Sequence, residues 1–475
     1  MYTNAPLPEA TEKISEVGDN LLLLTDCYKL THWRQYPPKT TKVYSYFESR
    51  GGDYPETVFF GLQYLLKKYL EGKVVTQEKI TEAEEITKLT LGNKNLFNRN
   101  GWEYILNQFD GQLPISIKAV PEGTVVPTLN ALITVENTDP NCWWLTNYLE
   151  TLLVQVWYPT TVATQSREIK KVIHDFLDKT GNTSLINFKL HDFGFRGVSS
   201  VESAGIGGAA HLVNFQGTDT VAAISLLRKY YHHNTPGFSI PAAEHSTITS
   251  WGKENEAKAY ENMLDQFTGT RAVVSDSFDI FNACEKLWGE ELKDKILNLE
   301  GSLVIRPDSG DPAEVVLRVI EILGEKFGYQ INSKGFRVLN DKIRVIQGDG
   351  VNYFSIKEIL QTLLANRWSA DNISFGMGGA LLQKLNRDTQ KFAFKCSFVE
   401  VDGKGRDVFK DPITDKGKIS KKGKLQLIKL QNDRYETIPE HTDSNESPNE
   451  LVEVFSNGKL LKEYTLDEVR ERAKV

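Results

Sequence analysis

The chain has 475 residues, with 56 Lys and Arg against 63 Asp and Glu, a formal charge of −7. A net acidic protein lacks the wide basic surface that neutralises nucleic-acid phosphates, which excludes bulk nucleic-acid binding. Its 23 Phe, 18 Tyr and 8 Trp, within 40% apolar residues, exclude a disordered chain.

Residues 1–20 are polar and acidic and predict a loose tail, without the basic and apolar regions of a secretion signal. No apolar run approaches the ~20 residues that span a bilayer. Cys27, Cys142, Cys284 and Cys396 lie more than a hundred residues apart. That spacing predicts reduced thiols in the cytoplasm, not a disulfide framework or a local zinc motif. Residues 21–158 mix short elements: Val43–Phe47 reads as a strand, Glu56–Leu70 as an amphipathic helix and Ile115–Val120 as an alternating strand.

From residue 159 to 389 a rhythm sets in, an apolar run ending in Gly, Asp or Arg and then a helical pattern. The runs end at residues 190–196, 213–219, 240, 274–277, 305–310, 345–350 and 373–376. Asp311-Pro312 opens one helix, with Gly324 past its end, and Ser355-x-x-Glu358 reads as a capping box for another. Alternating strand and helix implies parallel strands, and seven such units fit an α/β barrel better than an open sheet. Beyond residue 390 strands return at Phe392–Val399. A lysine-rich loop (416–424), an acidic stretch (441–450) and a helix (466–473) follow. The predicted organisation is a tail (1–20), a mixed α/β domain built from both chain ends (21–158 with 390–475), and an irregular α/β barrel (159–389).

In a barrel, chemistry sits at the C-terminal ends of the strands. The turn Gly376-Met377-Gly378-Gly379 before a helix exposes backbone N–H groups to an anion, and Lys384 and Arg387 follow it. Arg306, Asp308, Gly348 and Asp349 bring a guanidinium and two carboxylates to adjacent strand ends, and Asp219 and Asp279 add two more. Such a set suits a polyol or a cation, although each Asp is also a natural helix N-cap. His245, between small and hydroxyl residues, is a candidate for proton or phosphoryl transfer. Phe193 can stack on a flat ligand, and Lys395, Lys410 and the 416–424 loop can capture phosphates. A metal-dependent hydrolase built on His191, His245 and the aspartates is a second reading of the same residues, and a binding protein that keeps the fold is a third.

Taken together, TDCYKLTHWRQYPP (25–38), KVYSYFESR (42–50), KLHDFGFRGVSS (189–200), NFQGTDT (214–220), PAAEHSTIT (241–249), VVSDSFDI (273–280), IRPDSG (305–310), RVIQGDGV (344–351) and LLQKLNRD (381–388) resemble the nicotinamide phosphoribosyltransferases, in family order along nearly the whole chain. The resemblance implies a type II phosphoribosyltransferase fold and a cytoplasmic homodimer with shared active sites. The implied reaction is transfer of phosphoribosyl from phosphoribosyl pyrophosphate to nicotinamide in NAD salvage, with Mg²⁺ held mainly by pyrophosphate. ATP would be coupled through phosphorylation of His245. It further implies that Phe193 and the other subunit's Tyr28 stack the pyridine ring, that Asp219 accepts the carboxamide N–H, and that Arg306 lies near amide and ribose. Asp308, Gly348 and Asp349 would hold the ribose; Gly378, Gly379 and Arg387 the 5′-phosphate; Arg196, Lys395 and Lys410 the phosphate and pyrophosphate groups. Asp279 would contact His245 or the ribosyl substrate and its metal. Two departures stand out: Met377 occupies the glycine turn where a small or hydroxyl residue is expected, and the segment after Arg50 is short.

Overall fold

The computed structural model describes residues 15–414, 418–431, 434–440 and 448–475. The chain forms two compact units, Met1–Trp157 with Gln390–Tyr464, and Tyr158–Thr389 with Thr465–Val475.

The first unit is organised by a seven-stranded antiparallel sheet. Its order is Lys404–Asp407, Phe392–Val401, Thr40–Ser49, Ala131–Asn137, Ile115–Ala119, Val452–Ser456 and Lys459–Leu460. Two expectations change here. Glu56–Val58 is a strand paired with Val125–Pro127, and the helix begins only at Leu62, after Gly61 turns the chain at φ 102°. Thr57 and Val58 are β-branched and fit the pleat better than a helix. Residues 15–20 are also tied down, because Ser15 and Asn20 both donate to the Glu82 carboxylate. The rest of the expected tail, residues 1–14, lies outside the described residues, as do 416–417 of the lysine loop and 441–447 of the acidic stretch.

The second unit is the barrel. Six parallel strands run in the order Gly217–Thr218, Leu190–Asp192, Ile373–Met377, Ile343–Gln347, Leu303–Arg306 and Arg271–Val274. A seventh stave closes the ring. Phe238 bridges to Gly217 at one edge, and Ala242 bridges to Ala272 at the other. This is the run ending at residue 240 in the sequence. Strand residues alternate around the wall. Leu190, Val273, Ile305, Val345 and Phe375 are fully buried on the helix side. Ala272, Val304 and Ile346 face inward and pack with Phe193 and Ile240.

Helices cover the outside. Asp311 caps Pro312–Phe327 through its side chain, but that helix runs through Gly324 to Gly328. Gly324 is an interior glycine because the Trp368 ring lies against it, where a Cβ would come within 2.6 Å. The capping box of the next helix, Tyr353–Ala365, sits at Asn352 and Ser355, not at Ser355 and Glu358. Asn352, in extended conformation, takes the cap position and Ser355 returns the bond. The terminal helix, Leu466–Arg472, belongs to the barrel unit and not to the domain of the chain ends in which the sequence places it. Leu466 N–H donates to Tyr231 O, and Arg470 donates to the carbonyls of Leu212 and Pro236.

Candidate active site

The inward positions form layers along the barrel axis. Lys189, Thr270, Ser302 and Arg344 line one end of a cavity of about 390 Å³. His191, Ala272, Val304, Ile346 and Ser374 line its middle, and Phe193, Asp219 and Arg306 its mouth. Lys189 is fully buried, and its ammonium donates to the carbonyls of Ala370, Asp371 and Ile373. Burial pushes its pKa down to about 7, against the pull of Asp371. Burial also lowers His191, outweighing the nearby Asp219, so its imidazole is kept neutral.

The mouth opens into a cleft of about 890 Å³ at the C-terminal ends of the strands. Phe193, Arg196, Asp219, His245, Arg306, Asp308, Gly348, Asp349, Gly378 and Gly379 all line it. The Phe193 N–H extends the sheet ladder to Met377 O at 3.0 Å. Asp219 is held by its own N–H to Asp192 O at 2.9 Å, and its carboxylate accepts the Ser239 hydroxyl. Under this loop lies Asp192, a buried carboxylate that accepts the Gly194 N–H at 2.7 Å. Burial raises its pKa to about 6, and Asp219 adds to the rise.

Arg306 ends its strand with Nε buried, lacking a hydrogen bond and 3.6 Å from Asp308 Oδ1. Burial raises the Asp308 pKa; Arg306 and His245 pull it down, and Asp276 and Asp349 push it up. Gly378 and Gly379 lead into the single turn Gly379–Leu382, whose final carbonyls are all accounted for. Gly379 O accepts from Gln383 and Lys384. The Gln165 amide serves Ala380 and Leu381, and the Tyr158 hydroxyl serves Leu382 at 2.9 Å. Met377 is buried as the last residue of its strand. The cleft therefore meets Gly378 and Gly379, and the thioether points into the packed wall.

His245 opens the helix His245–Thr249, and its Nε2 lies 2.9 Å from Asp276 Oδ1. A carboxylate only accepts, so with Asp276 ionised Nε2 carries the proton and Nδ1 offers a lone pair. Asp276 Oδ2 accepts the Asp308 N–H and the Ser309 hydroxyl. This corrects the expectation for Asp279. That carboxylate caps the helix after it, accepting the N–H groups of Phe281 and Asn282, and it lines a separate pocket with Lys253 and Glu256. Arg387 also stands apart. It lies in a short 3₁₀ turn with its side chain 57% exposed, near its neighbour Asp388 and outside the lining of the cleft. Tyr28, Lys395 and Lys410 belong to the other unit. Tyr28 is 60% exposed, Lys395 pairs across strands with Tyr46, and Lys410 bonds through its backbone to Ser420. The cleft also includes Phe195, Thr220, Glu244 and Ser246, which sequence reasoning did not single out.

Among the described residues, no three His, Cys, Asp or Glu side chains are arranged to hold a metal unaided. Among the same residues, no helix is long and apolar enough to cross a membrane.

Residues 188–459 match the family described as nicotinate phosphoribosyltransferase, and residues 20–117 match the N-terminal domain of nicotinamide phosphoribosyltransferase. A nicotinamide phosphoribosyltransferase of Xanthomonas campestris is 53% identical over 464 residues, covering 96% of this chain and 98% of that one. One of Acinetobacter baylyi is 34% identical, covering 95% and 97%. Among solved structures, a nicotinate-nucleotide pyrophosphorylase of Pyrococcus furiosus superposes with a TM-score of 0.62 at 16% identity, covering 98% and 97% of the chains. Human nicotinic acid phosphoribosyltransferase gives 0.56 at 15%, covering 95% and 93%. At those identities the structures establish the type II phosphoribosyltransferase fold and nothing finer.

Proposed function

The chain belongs to the nicotinamide phosphoribosyltransferase family, and from that premise we propose how its residues divide the work of condensing nicotinamide with phosphoribosyl pyrophosphate to nicotinamide mononucleotide and pyrophosphate. The enzyme is a pentosyltransferase of NAD salvage. The pyridine nitrogen carries a free lone pair, so the reaction needs no general base. The C1 centre passes through an oxocarbenium-like state, and catalysis rests on orientation and charge stabilisation.

The observation that carries the assignment is that Phe193, Asp219 and Arg306 line both the mouth of the apolar lumen and the polar cleft. A flat, uncharged ring enters there. Phe193 stacks on one face, and Tyr28 of a second subunit is assigned the other, in a homodimer. Stacking strengthens as the ring becomes cationic in the product. Asp219 accepts the carboxamide N–H and repels the carboxylate of nicotinate. Asp308, Gly348 and Asp349 take the ribose hydroxyls, and Gly378 and Gly379 the 5′-phosphate. Arg306 lies near the amide and ribose, and Arg196 takes the remaining anionic groups, with Lys395 and Lys410 supplied partly by a second subunit.

The crowding of Asp308 by Asp276 and Asp349 fits a divalent cation that arrives with the substrate. Bound there, Mg²⁺ would neutralise charge on the departing pyrophosphate. ATP is the coupled substrate, and His245 the phosphoryl acceptor, with Nδ1 left free by the Asp276 contact.

The test is product formation from nicotinamide, phosphoribosyl pyrophosphate and Mg²⁺, with and without ATP. Nicotinamide mononucleotide is expected, faster with ATP. Equal or better turnover of nicotinate would reject the assignment of Asp219.

A further inference from the structure

The lumen wall carries two rings, His191 and Phe193, two residues apart on the inward side of one strand. In sheet register His191 pairs with Gly376 on one neighbouring strand and with Gly217 on the other. Gly348 lies near the Phe193 ring, one strand further round. None of these glycines has a positive φ. Their backbones would accept any residue, so the turn geometry that usually calls for glycine is absent. The neighbouring rings are what exclude a side chain. A Cβ at Gly217 would lie 2.5 Å from His191 Nδ1. A Cβ at Gly376 would lie 2.6 Å from Phe193 Cζ and closer still to Cδ2 and Cε2, inside the ring's van der Waals envelope. At Gly348 the approach to Phe193 Cε2 would be 3.5 Å, an ordinary contact.

Barrel interiors of this size are normally filled by the side chains of every stave. Here the rings of His191 and Phe193 occupy the space that side chains at Gly217 and Gly376 would fill, and the centre stays open as the 390 Å³ cavity. The Phe193 N–H is already fixed to Met377 O. With the backbone fixed, the depth of the ring depends on what lies beneath it.

We infer that Gly376 is a positioning residue of the pyridine site: its missing side chain lets the Phe193 ring sit close against the barrel wall, which sets the height of the stacking platform and keeps the mouth between cleft and lumen open. This rests on the reading of Phe193 as the platform. A methyl group at 376 has backbone below it and the ring above, so the ring must rise into the space the ligand uses. The phosphate turn at Gly378–Gly379 has anchors of its own, the Gln165 amide and the Tyr158 hydroxyl on the carbonyls that follow it.

The experiment uses the full chain as wild type, Gly376→Ala, Phe193→Leu and the double variant, with initial rates against nicotinamide and against phosphoribosyl pyrophosphate. Gly376→Ala is expected to raise KM for nicotinamide about tenfold, as overpacking does, and KM for phosphoribosyl pyrophosphate less than about twofold. In the Phe193→Leu background the same alanine is expected to change KM for nicotinamide less than about twofold, because Cε2 and Cζ are gone and the flexible leucine methyl groups can turn aside. Equal rises in both KM values, or an undiminished effect in the Phe193→Leu background, would overturn the inference. Should Gly376→Ala fail to fold, melting of the double variant decides: a restored cooperative transition supports the ring as obstacle, and its absence overturns the inference. Phe193→Leu alone separates the two levels. An unchanged KM for nicotinamide removes the platform and the inference with it. A raised KM there, with Gly376→Ala silent, overturns the inference alone.

Discussion

Replacing Asp276 with asparagine is expected to disconnect His245 from ATP while sparing the pyridine site. The Asp276 side chain is only 5% exposed and accepts from three donors: His245 Nε2 at 2.9 Å, the Asp308 N–H at 3.2 Å and the Ser309 hydroxyl at 2.6 Å. Asparagine keeps one acceptor oxygen and introduces an NH₂ group. Turned to serve Asp308 and Ser309, it points the NH₂ at Nε2. The imidazole must then present a lone pair there and move its proton to Nδ1, the nitrogen that has to attack. Turned the other way, it leaves the Asp308 and Ser309 donors facing a donor. A charge-assisted hydrogen bond contributes about 1.5–3 kcal/mol. His245 is about half exposed, so solvent screening favours the lower part, about 1–2 kcal/mol, or roughly five- to thirtyfold in rate. The assay is acid-labile ³²P on the chain after incubation with γ-labelled ATP, alongside KM for nicotinamide. Labelling is expected to slow by about tenfold with KM little changed. Wild-type labelling in Asp276→Asn, or a comparable loss in Asp279→Asn, would refute the reasoning. Asp279→Asn should leave both labelling and stability little changed, because asparagine caps a helix about as well as aspartate.

Three further outcomes are expected. Asp219→Ser removes a charge whose repulsion of a carboxylate about 4 Å away is roughly 2–4 kcal/mol, so the nicotinate-to-nicotinamide ratio of kcat/KM should rise at least about tenfold; an unchanged ratio removes Asp219 from that role. Tyr158→Phe strips the donor from Leu382 O behind the glycine turn and should raise KM for phosphoribosyl pyrophosphate by about three- to tenfold, with KM for nicotinamide unmoved; the reverse split would refute it. Burial holds the folded pKa of Asp192 at about 6, above the ordinary carboxyl value, so the fold favours its protonated form. That stability is full below about pH 4 and is lost as pH rises through about 6, a cost of up to about 3 kcal/mol at neutral pH. Asp192→Asn should therefore melt higher than wild type at pH 7.5, with the gap closing toward pH 4; a gap independent of pH would contradict the assignment.

The barrel was legible because each stave ends in a chemical punctuation mark. The seventh stave, residues 238–243, shows the limit of that signal. It is short and irregular, bridges at only two points, and its run could be placed but not its role in closing the ring. Helix ends were less legible. Gly324 reads as a stop, yet it is buried against Trp368, a contact from 44 residues away that no local pattern contains. The difference between Asp276 and Asp279 has a local signal in the sequence. Asp276 comes two residues after the strand ends at Val274, whereas Asp279 immediately precedes a helix and meets the description of an N-cap. Phe195, Thr220, Glu244 and Ser246 carry no distinguishing mark in sequence. They reach the cleft only because three neighbouring staves converge there. The role of Gly376 was hidden for a related reason. Its flanking glycines suggested an anion turn, and the ring that needs it lies on the adjacent strand.

The same geometry explains how two chemistries can share one mouth. Asp276 divides its oxygens between loops: Oδ1 faces His245, and Oδ2 holds the backbone of Asp308 and the hydroxyl of Ser309. A change of charge at His245 therefore alters a carboxylate that also fixes the loop carrying Asp308. Asp308 lies beside Arg306, whose Nε has no hydrogen bond. Adding a dianionic phosphoryl group at the imidazole would increase the attraction for Arg196, Arg306 and a substrate-borne cation, and would raise the cost of leaving those groups without one. On the proposed roles, Phe193 and Asp219 are anchored away from Asp276, and Arg306 is the shared member of the mouth. Phe193 rests on Gly376 and hydrogen-bonds to Met377, both on a strand that does not neighbour the one ending at Arg306, while Asp219 is held by Asp192 and Ser239. A change of charge at His245 is thus expected to reach the ring through Arg306 and not through the backbone anchors of Phe193 and Asp219.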